Sequence, residues 1–336
     1  MRLSSGDFAR VVMRANLAPS VHNTQLTRWR LHDDGSVVVL EDATRRLPVA
    51  DPAGRDAAVS HGCGIEGFAL ACADMGIAVD VGSPDAVDPS GLRPVARLTL
   101  RAGGQPDPLS AFVPVMRTYR GAFSKRPAAE TLDSLRASGD VTLVTSASGR
   151  ARIAELNDLG SIRTYRDKPY RRELRSWLRL SRRDPRWALD GLNAEAMAMS
   201  PIAAAGAAVI LAPGSFETLD RIGAARHLVA EAAVVSSAEA VVLFHRPLDE
   251  DPLQTGRRFH RLWLEFTALG RSAAPMSVLA DDEEIRSTIA REFDVPVNRR
   301  LINGFRIGVP PPRTSGDKAR LPRNVLIMDD HARAAI

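Results

Sequence analysis

The stretch Ala18-Pro19-Ser20-Val21-His22-Asn23-Thr24-Gln25 decides how the rest of this chain is read. Before it runs an amphipathic pattern with Phe8, Val11, Val12 and Ala15 on one face and Ser5 or Asp7 available as a cap, which predicts a helix. Pro19 cannot extend that helix and biases the residue before it toward an extended form. Polar side chains then crowd together at Ser20, His22, Asn23, Thr24 and Gln25. Beyond the stretch, 28–31 and 36–40 read as two strands around the turn Asp33-Asp34-Gly35. On pattern alone such a loop simply turns the chain, because Ser and Asn side chains bond their own backbone.

Composition bounds the alternatives. At 336 residues the chain can bury a large core, as one big domain or as two similar halves. Charged residues at 25% and hydrophobic ones at 45% are ordinary for a globular protein. The longest nearly apolar runs, such as 201–213, are too short to span a bilayer. The first helix carries Asp7, Arg10 and Arg14 with no apolar h-region, so we expect no secretory signal and a cytoplasmic location. Cys63 and Cys72 fall on opposite faces if they share a helix, which forbids a bridge between them. Neither has a partner at zinc-ligand spacing, so buried structural thiols and no metal are expected.

The net charge is +5. Only Lys125, Lys168 and Lys318 are lysines, and every other basic residue is arginine, a bias that commonly reflects the nucleotide composition of a genome. The densest basic segment, 163–186, interleaves Tyr165, Tyr170 and Trp177 in the manner of a nucleic-acid surface, yet matches no RNA-binding motif known to us. A basic helix covering an anionic cofactor site is the more economical account.

Further along, 55–75 predicts a long Ala-rich helix ended by Gly76, and 95–100 a strand. Gly103-Gly104 and the prolines at 106 and 108 break the pattern, which sets a boundary between halves near residue 105. The second half, 106–336, reads as a helix ending near Arg120, a helix over 128–137, and a strand over 141–144. A charged, helical excursion over 150–200 follows. The turns Asp184-Pro185-Arg186-Trp187 and Asp190-Gly191-Leu192-Asn193 interrupt it, and its portion 160–200 reads equally as a lid or as structural packing. A strand at 238–244, helices at 253–269 and 282–293, a strand at 301–309 and an extended Pro310-Pro311-Pro312 linker complete the pattern. Both halves share the order helix, strand, long Ala-rich helix, strand, although no sequence repeat stands out.

The string Ala18–Gln25 is similar to the APSxxNxQPW signature of the nitroreductase-like flavoproteins, departing from it at Leu26 and Thr27. RRLPVADPAGRDAAVSHGCG over 45–64 and WLEFTALG over 263–270 resemble its Acg-like branch, in which two nitroreductase units are fused in one chain. The resemblance implies an α+β nitroreductase-like fold: two fused units forming a pseudo-dimer, with mixed, mainly antiparallel sheets flanked by helices. It implies that Pro19, Ser20, His22, Asn23 and Gln25 lie against FMN. Arg117-Thr118-Tyr119-Arg120-Gly121-Ala122-Phe123 is similar to the family's RxSxRxF-type phosphate motif, with Tyr119 and Gly121 as departures and Arg120 as a compensating cation. Lys318-Ala319-Arg320-Leu321-Pro322 resembles its late KxRLP-like phosphate contact, with Arg323 a plausible substitute for either arginine. Arg suits that task because its planar fork makes paired charge-assisted bonds. Ala274-Pro275-Met276-Ser277 follows a helix as the loop whose backbone N–H approaches the flavin N5 in that family, which points to Met276 or Ser277.

The phosphate segments occur only after residue 110 and the Asn23 loop only before residue 30, so a fused pair assembles one complete site, with one FMN per chain and no obligatory dimer. His22 invites a proton-donor role or simple packing beside the flavin, and His61 a structural one. No Ser-His-Asp arrangement or P-loop is evident. The expected function is an FMN-dependent oxidoreductase. It would move hydride between a reduced nicotinamide, NAD(P)H, or an organic substrate and an electron-poor nitro, quinone or enone acceptor, or carry out an oxidative tailoring step. Its partners would be small molecules, not nucleic acid or membrane. The rival is an FMN-sequestering protein whose lid closes the flavin face.

Overall fold

The computed structural model describes residues 1–84, 87–125, 131–312 and 318–328. Helix α1 (Ser5–Ala15) starts where the Ser4 hydroxyl accepts from Asp7 N, and buries Phe8, Val11, Val12 and Ala15. The Ala18–Gln25 loop leads to β1 (Thr27–Leu31) and β2 (Val37–Glu41), then to α2 (Arg55–Ala73), β3 (Ile77–Gly82) and β4 (Arg93–Ala102). These strands form an antiparallel sheet in the order β1-β2-β4-β3.

The second half contains α3 (Asp133–Ala137) and β5 (Val141–Val144), followed by a helical excursion. The excursion comprises α4 (Ala147–Arg166), α5 (Lys168–Trp177), the short parallel pair β6 (Leu178–Arg179) and β7 (Leu192–Asn193), α6 (Pro201–Ile210), α7 (Ser215–Arg221), α8 (Ala225–Leu228) and α9 (Ala232–Ser236). After it come β8 (Ala240–Pro247), α10 (Pro252–Ala268), β9 (Ser272–Met276), α11 (Val278–Asp281), α12 (Glu283–Glu292), β10 (Arg299–Gly308) and α13 (Arg323–Leu326). The second sheet is antiparallel in the order β5-β8-β10-β9. Strand for strand this repeats the first sheet, and in each a long helix joins the second strand to the third. The fold is α+β, with antiparallel sheets flanked by helices.

The two long helices, α2 and α10, cross at a pair of glycines. A Cβ placed on Gly256 would lie 2.1 Å from Val59 O, and one on Gly62 2.2 Å from Leu253 O. That spacing brings the backbones close enough for Cys63 Sγ to donate to Gly256 O at 3.2 Å, and for His260 Nδ1 to meet Cys63 O at 2.9 Å. On the same crossing Arg257 and Arg261 both donate to Glu66, each at 2.8 Å. Packed against both halves, α2 is buried nearly all round, as its continuous apolar composition requires.

The C-terminal segment returns to the first half. Met328 N donates to Trp29 O at 2.8 Å, and Leu321, Leu326 and Ile327 complete the core beneath β1. The 318–328 segment therefore belongs spatially with the first sheet although it lies in the second half of the sequence.

Several expectations need correction. No helix ends near Arg120: a single 3-10 turn, Pro108–Phe112, precedes Pro114, which cannot continue a helix. The helix expected over 128–137 begins at Asp133, and 128–130 lie outside the described residues. Pattern reading missed β3, and it read 274–277 as a loop where Pro275 and Met276 end a strand. Pro275 is tolerated there because β9 is the outermost strand of its sheet. The basic 163–186 segment does not present its aromatics outward. Tyr165 stacks on Phe216, Tyr165 and Tyr170 meet edge to face, and Arg163, Arg166 and Arg171 pair with acids of α7 and α12 or their flanks. Both cysteines are free and buried, and His61 bridges Thr27 and Glu41, as expected. Among the described residues no single helix is long and apolar enough to cross a membrane.

The glycine crossing makes a direct prediction. Gly256→Ala gains about 0.8–1 kcal/mol of helix propensity, yet should destabilise the fold by about 1–3 kcal/mol through overpacking. Urea denaturation reads this as a lower midpoint, and an unchanged or higher midpoint would contradict the close approach.

Candidate functional site

After Ala15 the chain leaves α1 through two turns closed by Leu17 N to Arg14 O and Ala18 N to Ala15 O. Ser20 Oγ accepts from Gln25 N at 3.0 Å, folding the loop on itself, while Val21 N donates to Ser60 Oγ of α2 at 3.0 Å. Inside that frame His22 (φ 44°), Asn23 (φ 53°) and Gln25 (φ 50°) all adopt the left-handed conformation, which side-chain-bearing residues rarely occupy. Such strain persists only where surrounding contacts over-determine it, and it concentrates at functional sites.

The contacts that impose it come from far along the chain. Asn23 Nδ2 donates to Ala319 O at 3.1 Å and to Gly191 O at 3.2 Å, and its Oδ1 accepts from Arg320 Nη1 at 3.0 Å. Arg320 Nη2 donates to Leu17 O at 3.0 Å. Gln25 Oε1 accepts from Leu321 N at 2.8 Å and from Asn16 Nδ2 at 3.0 Å, while its Nε2 donates to Leu189 O at 2.8 Å. Three segments thus meet: the early loop, residues 318–321 and residues 188–191.

The third segment is anchored by Asp190, a buried carboxylate that sequence reading passed over as part of a turn. It accepts from Arg179 Nη2 at 2.8 Å and pairs with Arg45 and Arg186. Arg45 also donates to Thr24 O, which ties this node to the loop.

Positive charge gathers around the junction. Lys318 Nζ donates to Val113 O at 3.1 Å, and Arg117 Nη1 to Pro114 O at 2.9 Å. Among the described residues neither Lys318 nor Arg320 is paired with a carboxylate. Burial, and then the neighbouring Arg320 and Arg117, pull the Lys318 ammonium down to about 6. Burial and Arg117 pull Arg320 down to about 10, and its Nε is buried without a partner among the described residues. Cations held together in this way are costly unless an anion joins them.

Arg120 stands apart from that trio. Its Nη1 donates to Ala196 O at 3.1 Å, and its carbonyl accepts from the buried Arg306. Burial lowers its guanidinium to about 10, with Glu231 opposing the shift and Arg306 adding to it. Burial and then Arg120 hold His22 down at about 4, and His22 Nδ1 has no partner among the described residues. His22 is therefore neutral near pH 7, without the extra proton a general acid would deliver.

Other expected site residues are placed differently. Tyr119 Oη donates to Ala122 O at 3.2 Å, closing its own turn, and a Cβ on Gly121 would strike that hydroxyl at 2.4 Å. Pro275 and Met276 pair with Phe305 and Gly304 of β10, and Met276 N donates to Asn303 Oδ1 at 3.2 Å. Ser277 precedes α11 on the exposed surface. The hydrogen bonds of the early loop run to 188–191 and 318–321 rather than to 275–277. A small, solvent-open pocket borders the loop at Pro19, Ser20 and Gln25 and is lined further by Asn16, Trp29 and Ser60. It contains none of the cations.

The cations suit an anionic, phosphate-bearing group: Lys318 and Arg320, without a carboxylate among the described residues, with Arg117 beside them at the junction that Asn23 and Gln25 tie together. No family model matches the chain. Over 171 residues it is 29% identical to two curated Mycobacterium tuberculosis proteins, "Putative NAD(P)H nitroreductase Rv3131" and its counterpart MT3217. The match covers 50% of this chain and 49% of each relative, so the chain spans about half the length of the curated relatives it matches. Among solved structures, the Mycobacterium smegmatis FMN-dependent nitroreductase NfnB in complex with NADPH aligns at 18% identity. That alignment covers 64% of this chain and 93% of NfnB, with TM-score 0.36. A Bacteroides fragilis nitroreductase with bound FMN aligns at 12% identity, covering 67% of this chain and all of that one, with TM-score 0.37.

The Lys318 environment predicts a pH signature. Its folded pKa lies below the ordinary 10.5, at about 6. Between those values the unfolded chain holds a proton that the folded chain lacks, so this group makes stability rise with pH across the window. Lys318→Met should flatten the rise in the urea midpoint of ligand-free protein between pH 6 and 10. Identical slopes for the two proteins would show that the ammonium is not held among cations.

Proposed function

We propose that the chain is an FMN-dependent oxidoreductase of the nitroreductase superfamily, built as two fused units over 1–105 and 106–336. The observation that carries this is the pair of carboxylate-free cations at Lys318 and Arg320, the latter hydrogen-bonded directly to the strained Asn23 loop. The repeated strand order of the two sheets supports the fused pair, and the likeness to the mycobacterial NAD(P)H nitroreductases supports the chemistry.

In this reading Arg117, Lys318 and Arg320 hold the phosphate by charge-assisted bonds, Arg320 through the Nε that its other contacts leave without a partner. Phosphate binding returns Lys318 to its charged form and removes the mutual repulsion of the trio. Asn23 and Gln25, whose amides bridge residues 188–191 and 318–321, fix the loop against the cofactor, with Pro19, Ser20 and His22 beside them. Residues 188–191, fixed through Asp190, cover the junction and exclude water, which strengthens every charge interaction inside. When bound, FMN supplies hydride transfer from NAD(P)H or an organic donor to an electron-poor acceptor of nitro, quinone or enone type. One site drawn from both halves needs no second subunit.

A second reading, FMN sequestration without nicotinamide turnover, is favoured by one feature: residues 188–191, within the candidate lid 160–200, are tied to the early loop through Asn23, Gln25 and the Asp190 node. Anaerobic addition of NADPH or NADH to the FMN-loaded protein separates the two readings. Bleaching of the flavin absorbance is the expected result, and retained colour with both nicotinamides favours sequestration. The shared cofactor assignment has its own test: Arg117→Glu with Arg320→Glu should abolish FMN retention while circular dichroism stays unchanged. Full occupancy in the folded double variant would refute the phosphate placement.

A further inference from the structure

We propose that α6, with the ends of α7 and α8, is a docking surface for an anionic lipid bilayer, on which the protein lies without crossing it. The proposal is independent of the flavin reading.

Helix α6 reads Pro-Ile-Ala-Ala-Ala-Gly-Ala-Ala-Val-Ile, apolar all round, within a run from 196 to 216 that carries no charged side chain. A helix of that composition is ordinarily enclosed, by a protein core or by lipid, as α2 is enclosed by the two halves. In α6 only Ala204 is buried, while Ile202 is 86% and Val209 66% exposed. Ile222, just past α7, and Leu228, at the end of α8, are exposed as well.

The charge next to this surface is positive. Across the turn at 211–214, α6 meets α7 at 87°. The carboxylates of α7 tie it to the corner between α4 and α5. Asp220 accepts from Arg166 Nε at 3.0 Å, and Glu217 pairs with Arg171 and lies 3.7 Å from Lys168 Nζ. Those two acids therefore face three cations. Arg221, adjacent to Ile222, and Arg226, two residues before Leu228, are exposed and have no carboxylate partner among the described residues. The nearest acid before α6 in sequence, Glu195, is paired with Arg182. Apolar side chains with surplus arginines at their margin fit an anionic headgroup layer over an acyl boundary.

A second copy of the chain fits less well. A ten-residue helix is about 15 Å long and about 10 Å across. Its contact with a copy of itself covers on the order of 150 Å², against about 800 Å² per partner in a stable complex. A two-fold contact also sets each patch against itself, so the surplus cations of the copies would face one another. The shortness of the apolar run excludes a crossing helix, whereas lying in the interface needs no such length.

Co-sedimentation of the full chain tests this, with vesicles of phosphatidylcholine alone or of phosphatidylcholine and phosphatidylglycerol in equal parts. Binding should be confined to the anionic vesicles and should weaken as salt is added. Ile202→Glu with Val209→Glu should abolish it, and Arg221→Gln with Arg226→Gln should weaken it about thirtyfold. Because these side chains are exposed, circular dichroism and the urea midpoint should stay unchanged in both double variants. Both native cysteines are buried, so an environment-sensitive dye on Ile202→Cys reports this surface, and its emission should shift to the blue with anionic vesicles. Binding to neither vesicle, equal binding to both, or binding retained by the folded Ile202→Glu, Val209→Glu protein overturns the proposal. A vesicle-free dimer in sedimentation velocity, abolished by the same variant, would assign the surface to a second copy and overturn it as well.

Discussion

The close approach of α2 and α10 at Gly62 and Gly256 is the constraint on which the rest of the molecule depends. Each helix belongs to a different sheet, and their backbones nearly touch, so the halves are held at a fixed distance with little freedom to slide. The ion pairs from Arg257 and Arg261 to Glu66 and the His260 contact to the Cys63 carbonyl fix the rotation about that contact. A crossing of this kind tolerates no side chain at its centre, because interiors packed to crystal-like density cannot absorb even a methyl group without a shift. With the halves so fixed, an early loop and a late segment can share hydrogen bonds across 297 positions of sequence, as Arg320 and Asn23 do.

The junction they form is unusual in its charge. Two other arginine clusters are matched: Arg246, Arg258 and Arg299 converge on Asp140, and Arg45, Arg179 and Arg186 on Asp190. Around the Asn23 loop the matching stops, and Lys318, Arg320 and Arg120 lack carboxylate partners among the described residues. Cations without a carboxylate partner thus lie beside three strained residues at this junction. The strain at His22, Asn23 and Gln25 and the depressed Lys318 are two expressions of one arrangement, since both are held in place by the hydrogen bonds between the loop and residues 318–321.

Much of the scaffold was legible in the sequence. The long helices over 55–73 and 252–268, both strands after the early loop, and β5, β8 and β10 follow from periodicity and from their Gly and Pro boundaries. The meeting of Asn23 with residues 318–321 was expected from family resemblance and is observed. Other features were hidden for physical reasons. β9 contains Pro275, which argues against a strand unless the strand lies at an edge, and edge position is a property of topology rather than of local sequence. β3 is short and half-exposed, with no strong alternation to mark it. Asp190 lies in a turn whose local pattern gives no hint that three arginines from separate elements converge on it. The neutral state of His22 depends on burial beside Arg120, a residue 98 positions away.

In the proposed reading the cations at 117, 318 and 320 hold a phosphate. Titration calorimetry with FMN and with riboflavin, which carries the same ring and no phosphate, tests it most directly. We predict one FMN per chain and an affinity for riboflavin weaker by about two orders of magnitude, the loss of two or more charge-assisted bonds. Equal affinity for the two flavins, or binding of neither, would show that these cations do not hold a flavin phosphate.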